Sequence, residues 1–297
     1  MRSIVRRMVD PLRDHPALFA AIRDIFHPGV GIYRHLHFRG PIVVNVGNDA
    51  HFAINHHGYH VENELFWAGF GNGSYEAAEF RVWRALVKSA DFIADVGANT
   101  GVYSLSAAAL RPQARVVALE PMPRIYEKLC ANLALNPFNI QPLQIAVSDS
   151  EGDVAMFYSD FEHEYSASLD ATMLVNVNSR TIKVRATRLD GLLDELGWPR
   201  IDLIKIDVEK HEPAVLSGFV RRLCQDRPTM LIEILNSEIW EAVVGKLDGL
   251  KYRYFSIGGE KGLSEVREFE QSGGRNYLFL PSEAWTSTEP RIKAEFS

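Results

Sequence analysis

The stretch Ile93-Ala94-Asp95-Val96-Gly97-Ala98-Asn99-Thr100-Gly101 carries the first chemistry legible in the chain. Gly97 and Gly101 let backbone pass close to a ligand and to a helix start. No Gly-Lys-Ser/Thr follows, so the loop is not a phosphate-cradling P-loop. Nor is it G-x-G-x-x-G, because Asn99 holds the middle glycine position and the last glycine falls too early. Asp95, just ahead of the turn, would repel a pyrophosphate and suits a cationic ligand. Glu120, 25 positions after Asp95, ends the next apolar run, where an acid accepts hydrogen bonds from both hydroxyls of a ribose. A second group, Asp207, Glu209, His211 and Glu212, places three carboxylates around an imidazole whose ordinary pKa of about 6.5 suits a general base. Glu212 precedes Pro213 and reads as an acid favouring a helix start.

The elements that must position these groups alternate from Asp91 onward. Phe92–Val96, Arg115–Leu119, Ile140–Val147, Ile201–Val208 and Thr229–Leu235 read as strands. Val102–Leu110, Arg124–Leu135, Pro213–Leu223 and Ser237–Leu247 read as helices between or after them, and Tyr252–Ile257 and Asn276–Leu280 close the chain as strands. Ile201–Val208 is almost continuously apolar, as a strand buried on both faces must be. The expectation is an α/β fold, a doubly wound, mostly parallel seven-stranded sheet over residues 86–297. A β-hairpin is expected as an insertion at about 151–188, with strands Asp153–Tyr158 and Thr181–Thr187 joined by the polar stretch Ser159–Ser179. Residues 1–85 read as an α+β extension: helical pieces over 1–27, then an antiparallel meander of Tyr33–Phe38, Ile42–Val46 and His51–Ile54. Asn48 lies in a turn of that meander. Tyr75–Lys88 follows as an amphipathic helix.

A ligand with a sulfonium and an ammonium, S-adenosylmethionine, matches the acid-and-glycine loop better than a dinucleotide. The chain also resembles the FkbM-type family of class I S-adenosylmethionine-dependent methyltransferases, from about Tyr75 to Asn236. The resemblance rests on Tyr75-Glu76, the run from Asp95 to Ser104, Glu120-Pro121, Ala146-Val147-Ser148-Asp149, Leu189-Asp190, Ile204 through Glu212, and Glu233 within Leu231-Ile232-Glu233-Ile234. It implies that Asp95, Gly97, Asn99 and Gly101 line the methionine part of the cofactor. Glu120 would hold the ribose, Pro121 and Met122 would lie near the adenine, and Asp149 near its amino group beside Ala146 and Val147. Glu76 would approach from the preceding helix. Lys210 stands where the family commonly has glycine, so the loop is expected to take another path.

On this reading the chain moves a methyl group to a hydroxyl of a small molecule or sugar, with His211 or Glu209 as base and Asp207 beside them. The rivals are a methyltransferase-like binding subunit without catalysis, and an NAD-dependent oxidoreductase. Asp207, Glu233 and Asn236 also offer an oxygen-rich magnesium site, but the favoured reading assigns no metal. His51, His56, His57 and His60 suggest zinc by number, yet no cysteine is near, so surface or acceptor-pocket roles are preferred. Trp67, Phe70 and Tyr75 are candidates to cap the acceptor pocket or to pack in the core.

The 297 residues carry 32 Lys and Arg against 38 Asp and Glu, a net charge of −6, which argues against a partner held mainly through nucleic-acid phosphates. Cys130 and Cys224 cannot form a disulfide framework and point to a reducing compartment. No apolar run is long enough to span a bilayer, and Asp10, Pro11, Arg13 and Asp14 interrupt any signal-like segment after Arg2, Arg6 and Arg7. The expectation is therefore cytoplasmic, without a nucleic-acid or membrane partner, and with self-association into a homo-oligomer left open.

Overall fold

Apolar side chains along both faces of Phe92–Val96, Leu203–Ile206, Thr229–Glu233 and Asn276–Pro281 demand a covering layer on each side. The computed structural model supplies those layers, and it describes residues 15–47, 49–73, 76–159, 167–168, 179–258, 262–270 and 275–297. Arg2, Arg6, Arg7, Asn48, Tyr75 and the polar stretch after Ser159 lie outside the described residues, apart from 167–168 and Ser179.

In chain order the strands are β1 (Gly40–Gly47), β2 (Ala50–His56), β3 (Phe92–Val96), β4 (Arg115–Leu119), β5 (Ile140–Leu143), β6 (Ala146–Val147) and β7 (Gly152–Ser159). They continue with β8 (Ala167–Ser168), β9 (Ser179–Thr187), β10 (Leu203–Ile206), β11 (Thr229–Glu233), β12 (Tyr252–Ile257), β13 (Leu263–Val266) and β14 (Asn276–Pro281). The main sheet has eight strands in the order β13-β12-β14-β11-β10-β3-β4-β5. From β5 to β11 neighbours run parallel, and β14, β12 and β13 are antiparallel to their partners. The sheet is thus one strand wider than the seven expected, because Leu263–Val266 folds onto the edge of β12. Strand order reverses at β3, with β4 on one side and β10 on the other, and ligands of such sheets bind at the carboxyl ends beside that switch. The register pairs Asp95 with Lys205 and Val96 with Ile206, so the loops after β3 and β10 emerge together.

The inserted segment forms its own sheet. β7 and β9 pair antiparallel along their full length, and the short β6 joins β9 in parallel. Ile140–Val147 is therefore two strands in two sheets. Pro213–Leu223 also divides, into helices Glu212–Ser217 and Val220–Asp226. Gly218 lies at the break because a Cβ there would sit 2.0 Å from the Ser148 carbonyl oxygen. Asp190 then accepts hydrogen bonds from the backbone N–H groups of Arg221 and Arg222 at the start of the second helix.

The N-terminal part differs most from the sequence reading. β1 and β2 form the expected hairpin, with Ile42, Val44, Val46, Phe52 and Ile54 turned inward at alternate positions. Tyr33–Phe38 is not a strand: Val30–Tyr33 is a helical turn, and Leu36 N–H returns to the Tyr33 carbonyl. Tyr33 and Phe38 are apolar for tertiary reasons, one stacked on Trp67 and the other on Phe19. A helix over His60–Trp67 was not legible beforehand. One continuous core runs from Phe19 and Phe38 through Trp83 to Leu278 and Leu280, so these early elements pack on the main sheet's layers. Asn132 and Asn136 bridge β2 to the helix Pro123–Leu133, accepting from Asn55 and Ala53 N–H, and Asn132 also donates to the Thr100 carbonyl in the glycine loop. No helix among the described residues is long and apolar enough to cross a membrane.

Candidate active site

The loop leaving β3 turns because its backbone needs the left-handed region three times, at Gly97 (φ 83°), Asn99 (φ 50°) and Gly101 (φ 92°). A Cβ on Gly97 would stand 1.9 Å from the Asp207 carbonyl oxygen, so only glycine lets the ends of β3 and β10 close together. Gly101 is needed for packing instead, since its Cβ would meet Leu129 Cδ1 at 2.6 Å as the helix Val102–Leu110 begins. The N–H groups of Gly97 and Ala98 both donate to the Leu119 carbonyl. Glu120 completes the link, accepting from Asn99 N–H at 3.0 Å and from Met122 N–H at 2.9 Å.

These loops enclose a cavity of about 600 Å³ at the carboxyl ends of β3, β4 and β10. Ten of the predicted site residues line it: Glu76, Asp95, Gly97, Asn99, Glu120, Pro121, Ala146, Asp207, Glu209 and His211. Three do not. Gly101 faces Leu129, Met122 is packed inside, and Asp149 is exposed outside the cavity wall. From the N-terminal part, Gly58, Tyr59, His60 and Val61 form one rim, and Met156 of the inserted sheet contributes another.

Burial governs the electrostatics here. Desolvation pushes Asp95 up to about 6 and Glu76 and Glu120 up to about 7. Asp95 Oδ2 accepts from both the N–H and the hydroxyl of Ser104, at 3.0 and 2.6 Å, and so anchors the start of Val102–Leu110. Tyr103 donates its hydroxyl to Glu76 at 2.8 Å. Glu233 is also raised, by burial and then by the neighbouring Asp207 carboxylate.

Lys205 is the residue that sequence reasoning missed. Its side chain is 1% exposed, yet its ammonium lies 3.1 Å from Asp207 Oδ2 and 2.9 Å from Asn276 Oδ1. Burial alone would lower its pKa, but Asp207, Glu76 and Glu233 outweigh that and raise it. The signal was available, because a lysine in the middle of a doubly buried strand must have partners.

The loop after β10 departs from expectation. Lys210 takes φ 74° and Glu209 φ 52°, so the chain keeps the left-handed turn that glycine would favour. Glu212 explains how: its buried Oε1 accepts from Val208 N–H at 3.3 Å and Lys210 N–H at 3.1 Å and holds the turn closed. His211 then reaches Ser148, with Nε2 3.0 Å from Oγ, and Ser148 Oγ lies 3.2 Å from Asp149 Oδ1. Ser148 has one proton. If it goes to Asp149, His211 must donate through Nε2–H, and its lone pair then resides on Nδ1.

The other sequence candidates separate by burial. His56 is packed inside against Asn63, and His57 is half-buried. Burial lowers both to about 4. His60 is exposed at the cavity rim, and His51 is exposed on β2. Trp67 and Phe70 belong to the core rather than to the cavity, and Trp67 donates its indole N–H to the Leu36 carbonyl. Asn236 is committed as a helix cap, accepting from Ile239 N–H at 2.9 Å, which removes it from the proposed oxygen triad.

A sequence-family model described as the methyltransferase FkbM domain matches residues 95–283. Methyltransferase sdnD of Sordaria araneosa is 33% identical over 161 residues, 45% of this chain and 62% of that protein. The hexuronic acid methyltransferase AglP of Haloferax volcanii is 31% identical over 144 residues, 48% of this chain and 56% of that protein. The chain thus spans about three fifths of the length of these relatives, and only 7% of the antimetabolite synthetase AmbE of Pseudomonas aeruginosa, to which it is 32% identical over 158 residues. Among solved structures, a methyltransferase FkbM from Methylobacillus flagellatus aligns with TM-score 0.44 and 13% identity, over 68% of this chain and 50% of that one.

Proposed function

From the premise that the chain belongs to the FkbM methyltransferase family, we propose that it moves a methyl group from S-adenosylmethionine to a hydroxyl of a small molecule or sugar. The observation that carries this is the set of buried carboxyls, Glu76, Asp95 and Glu120, crowded around one cavity and held above their usual range. A cationic ligand relieves that crowding, and a pyrophosphate would worsen it. The donor set also fits the cofactor's ribose: each Glu120 oxygen accepts one backbone N–H and retains lone-pair capacity for a hydroxyl. A cavity of about 600 Å³ falls within the ordinary range for small-molecule sites.

Bound there, the cofactor supplies a methyl group already activated by its sulfonium. The chain's own task is to place the acceptor oxygen in line with that carbon, exclude water and accept the hydroxyl proton. In this reading His211 Nδ1 takes the proton, and Ser148 and Asp149 fix the ring through Nε2. This gives Asp149 a positioning role in place of the adenine contact that the family resemblance implied. Glu209 is the alternative base. Asp207, held by Lys205, keeps its carboxylate beside both. The hexuronic acid methyltransferase AglP and methyltransferase sdnD guide the choice of acceptors.

The test is a panel of sugars, uronic acids and polyhydroxylated small molecules incubated with the enzyme and S-adenosylmethionine, with and without chelator. Acceptor-dependent release of S-adenosylhomocysteine and a methyl ether in the product are expected. Methylation at nitrogen or carbon only, or no release with any acceptor despite bound cofactor, would overturn the hydroxyl assignment.

A further inference from the structure

Large apolar side chains lie exposed close together in sequence in the N-terminal part, outside the cavity lining. Ile25 and Phe26, at the end of the helix Pro16–Phe26, are 69% and 73% exposed. Val30 and Ile32, in the following helical turn, are 50% and 60% exposed. Four such residues within eight positions are more than the single scattered apolar side chains of an ordinary surface, and exposed apolar surface of this kind marks a docking site.

Charge selects the occupant. Residues 15–39 hold three arginines and one aspartate, a net of +2, in a chain whose total is −6. Arg34 and Arg39 are exposed close to the patch in sequence, with His27 and His35 beside them. Apolar side chains flanked by arginine match an anionic bilayer surface, where the rings and branched chains enter the headgroup boundary and the guanidinium groups meet lipid phosphate. The proposal departs from the expectation of no membrane partner, which rested on the lack of a spanning segment, and interfacial docking needs none.

We infer that the surface formed by Ile25, Phe26, Val30 and Ile32 docks on anionic membranes. The association is peripheral and salt-sensitive, because attraction between arginine and anionic lipid is screened by salt. It also sets the catalytic domain beside the bilayer, independently of what the cavity methylates.

The test is cosedimentation of the full chain with vesicles of phosphatidylcholine alone and of phosphatidylcholine with phosphatidylglycerol. Binding to the anionic vesicles is expected to be roughly tenfold tighter or more, and to weaken in about 0.5 M salt. The triple substitution I25S/F26S/I32S is expected to lower binding about tenfold or more with an unchanged melting temperature. If that variant misfolds, R34E/R39E on the same surface carries the test, with a similar loss expected. Equal binding to both vesicle types, or no binding to either, overturns the proposal. So does a dimer, measured by light scattering, that the triple substitution dissociates. Vesicle binding does not depend on S-adenosylmethionine, so failure here leaves the proposed reaction untouched.

Discussion

Replacing Lys205 by methionine removes a buried cation with little change in volume. At 3.1 Å from Asp207 the ion pair has a Coulomb energy of about 5 kcal/mol at an effective dielectric constant of about 20. Asp207 keeps 30% of its side chain exposed, so water screens part of that energy. Breaking one partner of a buried pair costs about 3–5 kcal/mol, and the lower end applies here. The variant should melt roughly 6–12 °C lower at pH 8. The pH dependence separates charge from packing. Glu76 and Glu233 already have folded pKa values above their unfolded ones, and losing Lys205 raises them further. A carboxyl raised in this way contributes stability below its unfolded pKa near 4.5 and loses it as pH rises through the folded value, about 7 for Glu76 and about 9 for Glu233. Lys205 itself, raised rather than lowered, stays charged throughout that window. The deficit of K205M should therefore be about half as large at pH 5.5 as at pH 8, read by circular dichroism melting of both proteins at both pH values. An equal drop at the two pH values, or none, would refute the electrostatic account of this cluster.

Further outcomes follow from the same geometry. G97A drives a Cβ into the Asp207 carbonyl and should abolish cofactor binding in calorimetry. G152A has φ 113° with nothing within 4 Å, and should cost about 1–3 kcal/mol of backbone strain with no steric clash. K210G relieves a lysine held at φ 74° and should raise the melting temperature by about 2–4 °C, for roughly 1 kcal/mol. H211A should lower turnover about 100-fold or more, and S148A roughly tenfold with a shifted acid limb of the pH profile. In wild type, nitrogen NMR should find the proton of neutral His211 on Nε2. A proton on Nδ1 would contradict the Ser148 orientation.

The parts of the fold that could be read from sequence are those whose signals are local. Phe92–Val96, Val102–Leu110, Arg115–Leu119 and Tyr252–Ile257 have the boundaries expected, because turns and mainly apolar stretches mark them. The glycine loop and Glu120 were legible for the same reason. His60–Trp67 was not, since Glu62, Asn63 and Glu64 are polar residues buried by tertiary packing and blur the helical period. Tyr33–Phe38 misled because aromatic residues inserted into a core mimic strand alternation. The contact between Ser148 and His211 joins loops 63 residues apart, which spacing alone does not reveal. Lys205 was overlooked although its setting was unusual, and the Glu212 contacts that hold Lys210 in a glycine-like turn required coordinates.

The central claim is that this cavity holds a cationic methyl donor. Calorimetric titration with S-adenosylmethionine, S-adenosylhomocysteine and NAD at pH 8 and pH 5.5 tests it most directly. Asp95, Glu76 and Glu120 take up protons between those values, so S-adenosylmethionine should bind about tenfold more weakly at pH 5.5. S-adenosylhomocysteine lacks the sulfonium charge and should lose less. Retention of NAD without S-adenosylmethionine, or S-adenosylmethionine affinity indifferent to pH, would contradict the account.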